Sequence, residues 1–252
     1  MPKPFYELSP NVDVVKGPYA PDSLIIIQAN NMAFSDEISQ QFTNSRIEDF
    51  IDYVKSFPIR YAFCNFQCSF YPKQVCEFYY SCSSDSDDQT ITRTIVDVQY
   101  RVTINMESFQ TALHLPQLEN YFETPSEEKC KSVHERLRYN FNLQDASHDS
   151  YKYTICRCFG VGWKYLTGVI GNCLGHKIGS LDELNFFEQR ILFSVVYIKR
   201  LDFAQLFLDP VIDCIIGNKK LAPYPCWLGL ILARDEGYFE NHGISIPIHA
   251  FS

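Results

Sequence analysis

The residues best typed to hold a metal ion are Cys156, Cys158, Cys173 and His176. Sulfur and imidazole ligands suit zinc, yet C-x-C followed by C-x-x-H is not a common finger spacing. On a helix, the side chains of Cys156 and Cys158 would leave the axis about 200° apart. They read as buried thiols, and no metal is expected. His134-Glu135 opens like the H-E-x-x-H helix of zinc proteases, but Arg138 stands where the second histidine must be. Gly160-Val161-Gly162 lacks the third glycine of a dinucleotide fingerprint. Gly171, Gly175 and Lys177 miss the G-x-x-x-x-G-K spacing that folds backbone N–H groups around phosphate. No cofactor is expected. The G-x-S-x-G elbow of serine hydrolases does not occur. Asp87-Asp88 reads as part of a solvated loop, and Glu127-Glu128 as a first helical turn, where carboxylates complement the dipole. No catalytic residue is assigned. A cysteine nucleophile meets its histidine in space and not in sequence, so a Cys-dependent enzyme stands as the third functional reading.

The ten cysteines, from Cys64 to Cys226, form no C-x-x-C pair. Met1 to Val15 shows no basic start followed by an apolar stretch. The expectation is a chain that is not secreted, intracellular in nucleus or cytoplasm, with reduced thiols that behave as small hydrophobes. The apolar stretch from Ile155 to Leu174 is interrupted by Arg157, Lys164 and Asn172, so it reads as a core helix and no membrane anchor is expected. The 252 residues carry 22 Lys plus Arg against 30 Asp plus Glu, a net charge of -8. That balance argues against a protein built to bind phosphate backbones.

These side chains must be positioned by helices for the most part. Ser45 with Glu48 reads as a capping box, and Ile47, Phe50, Ile51 and Val54 repeat at helical spacing before Pro58. Pro72 suits the first turn of a second helix with Val75, Phe78, Tyr79 and Cys82 on one face. Ser83 to Asp88 reads as an acidic loop; Ile91 to Ile104 then alternates at period two and predicts one hairpin bent near Asp97. Asn105 caps a short helix that carries Phe109, Ala112 and Leu113 and stops at Pro116. Thr124-Pro125-Ser126-Glu127 opens another helix toward Tyr139. Tyr153 to Leu174 is a glycine-dotted helix, in which Gly168, Gly171 and Gly175 permit close contact. Ser180 with Glu183 opens an apolar helix to about Arg200. Asp202 with Gln205 opens one that Pro210 should kink and Gly217 can end, and Pro225 begins the last, through Leu232. Ile244, Ile246, Ile248 and Phe251 alternate in an extended tail expected to dock on the body.

The fold class that follows is mainly α: a single helix-rich domain of about eight helices with one small β-hairpin. Residues 1–34, which hold Pro2, Pro4, Pro10, Pro18 and Pro21, read as an extended or partly loose segment with one short strand from Ser23 to Gln28. Residues 35–252 read as the helical domain.

Between about residues 50 and 235, four stretches resemble a plant-specific family, the plant transposon protein domain found in retrotransposon-derived genes. Tyr71-Pro72 with Val75 and Phe78-Tyr79 is similar to its first helix. Tyr100 to Thr103, followed by a helix ending Leu113-His114-Leu115-Pro116, resembles its strand–helix–L-x-L-P element. Trp163, Lys177 to Ser180 and Asp182 follow. Leu206 to Asp209 and Tyr224-Pro225-Cys226-Trp227-Leu228 come last. Ser180 and Cys226 depart from the family pattern, as does Pro210 inside a helix. The plant mobile domain shares the hairpin–helix–L-x-L-P shape and is the nearest alternative. Neither family brings catalytic residues. The resemblance implies a non-enzymatic protein-interaction or scaffold module with a protein partner or self-association. Direct nucleic-acid binding is the alternative reading. Lys199-Arg200 and Lys219-Lys220 are the basic doublets, and affinity no better than ~10⁻⁴ M is expected.

Overall fold

The computed structural model describes residues 5–8, 24–27, 33–34, 56–64, 69–70, 72–85, 90–95, 100–143, 154–175, 182–232, 246–247 and 250–251. Among them are eight α-helices: α1 (Arg60–Cys64), α2 (Pro72–Ser81), α3 (Met106–Ala112), α4 (Glu127–Arg136), α5 (Val161–Val169), α6 (Phe186–Tyr197), α7 (Phe203–Ile215) and α8 (Pro225–Leu232). The protein is mainly α, with small strand pairings between helices. The helix expected from Ser45 to Val54 lies outside the described residues.

Local signals place several helix ends. Asn105 accepts the Ser108 N–H at 3.0 Å, and Ser108 Oγ takes the Asn105 N–H in return, closing a capping box on α3. Asp202 accepts the Gln205 N–H at 3.0 Å to open α7. That helix runs unbroken across Pro210, which has no N–H for the Leu206 carbonyl. Gly217, at φ 78°, takes the left-handed turn beyond its end.

Three expected starts move. The cap of α4 is Ser126, which accepts the Lys129 N–H at 3.3 Å, two residues beyond Thr124. The cap of α6 is Asn185 paired with Glu188, because Glu183–Leu184 is taken as a strand against Thr154–Ile155. The same pairing removes residues 154–155 from the glycine-dotted helix. A 3₁₀ turn at Cys156–Cys158 follows, and α5 starts only after Gly160. Its last turn widens into a π-helix, Ile170–Leu174.

The predicted hairpin forms, Thr90–Ile95 against Tyr100–Ile104, with Ile91 opposite Ile104. Cys82–Asp85 adds a third antiparallel strand, so the first residues of the acidic patch are sheet edge and not loop. Polar side chains are what an edge strand tolerates, since its backbone bonds come from one neighbour only. Leu24–Ile27 pairs with Phe5–Leu8 and is tied to the body: the Ile25 N–H donates to the Lys220 carbonyl at 2.8 Å, and the Ala222 N–H to that of Ile25 at 2.9 Å. In the tail, Ile246–Pro247 pairs with Ser69–Phe70, and Ala250–Phe251 with Ala33–Phe34.

The centre of the core is aromatic. Trp227 stacks on Tyr224 at 4.1 Å and meets Phe207 edge-on at 4.9 Å. Tyr79 donates to the Pro223 carbonyl at 2.6 Å, and Tyr224 to that of Leu174 at 3.2 Å, so these buried hydroxyls are satisfied. Helices α2, α3, α7 and α8 meet there. A second group, α4 against α6 with the π turn beside it, extends the core. At Gly175 a β-carbon would strike the Gly171 carbonyl and Glu188 Oε1, so this glycine permits the close approach its position suggested. Gly175→Ala is expected to cost about 1–3 kcal/mol, read as a lower urea midpoint, because backbone cannot step aside.

Candidate functional site

The described cysteines that sequence typing singled out are held in the interior. Cys156, Cys158 and Cys173 are buried and unbridged, as are Cys76, Cys82, Cys130 and Cys214. Burial pushes the Cys130 and Cys214 thiols up to about 12, which keeps them protonated and poor as nucleophiles or ligands. His176 lies outside the described residues, among which no three potential ligands cluster.

His134 sits on the inner face of α4. Its Nε2 is 2.7 Å from Thr154 Oγ1, and its ring stacks on Tyr139 at 4.4 Å. Desolvation, with Lys131 adding to it, lowers its pKa to about 4, so the ring is neutral. Tyr139 Oη accepts the Ile155 N–H at 2.9 Å, and the Asn140 N–H donates to the Cys158 carbonyl at 2.9 Å. The cluster fastens α4 to the 3₁₀ turn. It is a polar seam within the core.

The surface that stands out is the junction between α6 and α7. Ile198, the residue that ends α6, has φ 53° and ψ 43° and is 82% exposed. A β-branched residue is strained in the left-handed region, and a bare isoleucine gains nothing from water. The turn is nevertheless well made: the Lys199 N–H donates to the Ser194 carbonyl at 2.9 Å, and the Ser194 hydroxyl to that of Lys199.

Around Ile198, cations and aromatic rings alternate. Lys199 Nζ lies 5.0 Å from the centre of the Phe122 ring, and Lys129 Nζ 5.9 Å from it. The Arg136 guanidinium sits 4.9 Å over Tyr197, whose hydroxyl donates to the Ser132 carbonyl at 3.2 Å. The Phe122 N–H donates to the Arg200 carbonyl at 2.8 Å, which sets that extended segment beside the junction. Lys129 meets Glu123 at 3.7 Å; Arg136, Lys199 and Arg200 are exposed and form no ion pair among the described residues. A protein of net charge -8 thus carries a local basic, aromatic rim around a protruding apolar side chain.

The other basic doublet behaves as a helix-end feature. Lys219 is bridged to Asp213 at 2.8 Å beyond the C-terminus of α7.

Sequence reasoning saw Lys199-Arg200 and missed Ile198, Phe122 and Tyr197. Only the doublet had a local signal. The chain matches no known protein family, no curated protein and no solved structure. Among the described residues, no helix is long and apolar enough to cross a membrane.

Proposed function

We propose that this chain is a non-enzymatic, retroelement-derived helical domain that acts as a protein-interaction module. Its docking face is the rim around Ile198, and its partner presents an acidic segment with an apolar side chain that covers the isoleucine. The carrying observation is Ile198 itself, strained and 82% exposed beside Arg136, Lys199 and Arg200, which form no ion pair among the described residues. Strained residues that persist on a surface are good markers of function. The resemblance to the plant transposon protein domain supports the descent. Its matched residues Tyr79, Phe207, Tyr224 and Trp227 gather in one buried core, so the shared pattern reads as packing.

A single-stranded nucleic acid is the second reading, because aromatic rings interleaved with basic residues form stacking platforms. Here Phe122 and Tyr197 are half-buried with cations over their rings, which favours a protein partner.

The test uses fluorescence polarisation with two labelled probes: an acidic peptide of Glu and Asp with a central Leu-Phe pair, and an oligouridylate of equal charge. Ile198→Gly is expected to raise the melting temperature by a few degrees, since relieving left-handed strain is worth roughly 1 kcal/mol. The same variant is expected to weaken the peptide at least fivefold. A peptide that binds both proteins alike, or neither, overturns the reading, and tighter oligouridylate binding transfers it to nucleic acid.

A further inference from the structure

Behind the rim, between α6, α7 and the segment that enters α4, lies a cleft of about 240 Å³. Thr124, Arg190, Leu201, Gln205, Leu206 and Asp209 line it, with Asp202 at the cap of α7. Two opposite charges face it without meeting. Arg190 is half-buried, and its guanidinium lies 4.1 Å over the Phe186 ring. Its Nε is buried with no acceptor, and the side chain makes no hydrogen bond or ion pair among the described residues. A guanidinium has five donors in a fork shaped for a carboxylate, and leaving a buried donor unpaired is costly. Asp209 stands one helix away on α7. One carboxylate oxygen accepts from Gln205 Nε2 at 2.5 Å, and no cation bridges it.

Desolvation raises the Asp209 pKa and lowers that of Arg190, and the attraction between the two charges across the cleft offsets it only in part. A simple anion on Arg190 would face Asp202 and Asp209. A simple amine on Asp209 would face Arg190. A molecule carrying both charges satisfies both walls, while Leu201 and Leu206 offer apolar surface to a short aliphatic group. At ~30 Å³ per water the space holds on the order of eight waters, below the ~300 Å³ where pockets for drug-sized ligands begin. A single amino acid is the scale that fits.

We propose that this cleft is a binding site for a small zwitterion of the α-amino-acid class, its carboxylate on Arg190 and its ammonium on Asp209. Thr124 and Gln205 supply the polar edge. The site is independent of the docking rim, and neither proposal needs the other.

Titration calorimetry on the full chain tests it with L-alanine, L-valine and L-leucine. The deaminated and decarboxylated analogues of valine, 3-methylbutanoate and 2-methylpropylamine, serve as single-charge probes. At least one zwitterion is expected to bind with a Kd of roughly 0.1–1 mM. Both single-charge analogues should be at least tenfold weaker, and Asp209→Asn and Arg190→Gln should each weaken the zwitterion at least tenfold. Asp209 is exposed, so its variant keeps the experiment decisive if Arg190→Gln does not fold. No heat with any of the three amino acids overturns the proposal. So does 3-methylbutanoate binding as tightly as valine, which would make the cleft a plain anion site.

Discussion

Trp227→Ala is expected to lower the unfolding free energy by about 3–5 kcal/mol, the range for truncating a large buried aromatic. Trp227 is 0% exposed, stacked on Tyr224 and edge-on to Phe207, and its indole N–H donates to the Ala62 carbonyl at 2.6 Å. Removing it opens a cavity where α7 and α8 meet, and strips the donor from a carbonyl of α1. A domain has only about 5–15 kcal/mol in total, so the variant should lose roughly 6–20 °C of melting temperature. Trp227→Phe separates the two contributions. It keeps most of the ring and removes the indole donor to the Ala62 carbonyl, a cost of about 1–3 kcal/mol. Urea denaturation followed by circular dichroism reads both variants. A Trp227→Ala loss under about 1.5 kcal/mol would mean that this aromatic centre does not organise the fold.

The core was legible because its signals are local. Pro72 and Pro225 open α2 and α8, Asn105 and Asp202 cap α3 and α7, and Val75, Phe78 and Tyr79 face inward as their spacing requires. Each of these depends on three or four neighbouring residues. The starts that moved depend on partners far along the chain. Ser180 with Glu183 and Asn185 with Glu188 are equally good boxes on paper. The choice falls to Thr154–Ile155, whose pairing with Glu183–Leu184 leaves only the second box for α6. Cys82–Asp85 is the same case: its composition suggests a loop, and the neighbouring strand makes it an edge.

The candidate sites were barely legible, for a different reason. Within an apolar run, Ile198 looks like one more core position, and only its left-handed backbone turns it outward. Phe122 reaches the rim through a backbone bond to Arg200, and Arg190 and Asp209 line one cleft from two separate helices. No spacing rule joins residues placed by separate elements. His134 was visible, but as a failed metal motif; what it does depends on Thr154 and Tyr139 closing over it.

That enclosure sets a pH dependence. Unfolded, His134 titrates near 6.5; folded, burial holds it near 4, so between these values the unfolded chain binds more protons. Its neutral form stabilises the native state fully above pH 6.5, and that contribution is lost as pH falls through 6.5 toward 4. At about 1.4 kcal/mol per tenfold, the loss reaches about 3 kcal/mol at the acid end of that window. Asp209 works in the opposite direction, since a carboxyl raised by burial favours the folded state on acidification. A difference measurement removes that contribution. His134→Gln forfeits the stacking on Tyr139 and is expected to be less stable than the parent at pH 7, yet it has no imidazole to protonate. The stability gap between the two proteins should therefore close by about 3 kcal/mol from pH 7 to pH 4. Urea unfolding at half-unit pH steps measures it. A gap that stays constant would mean that His134 is protonated in the folded protein, and that the seam joining α4 to the 3₁₀ turn admits water.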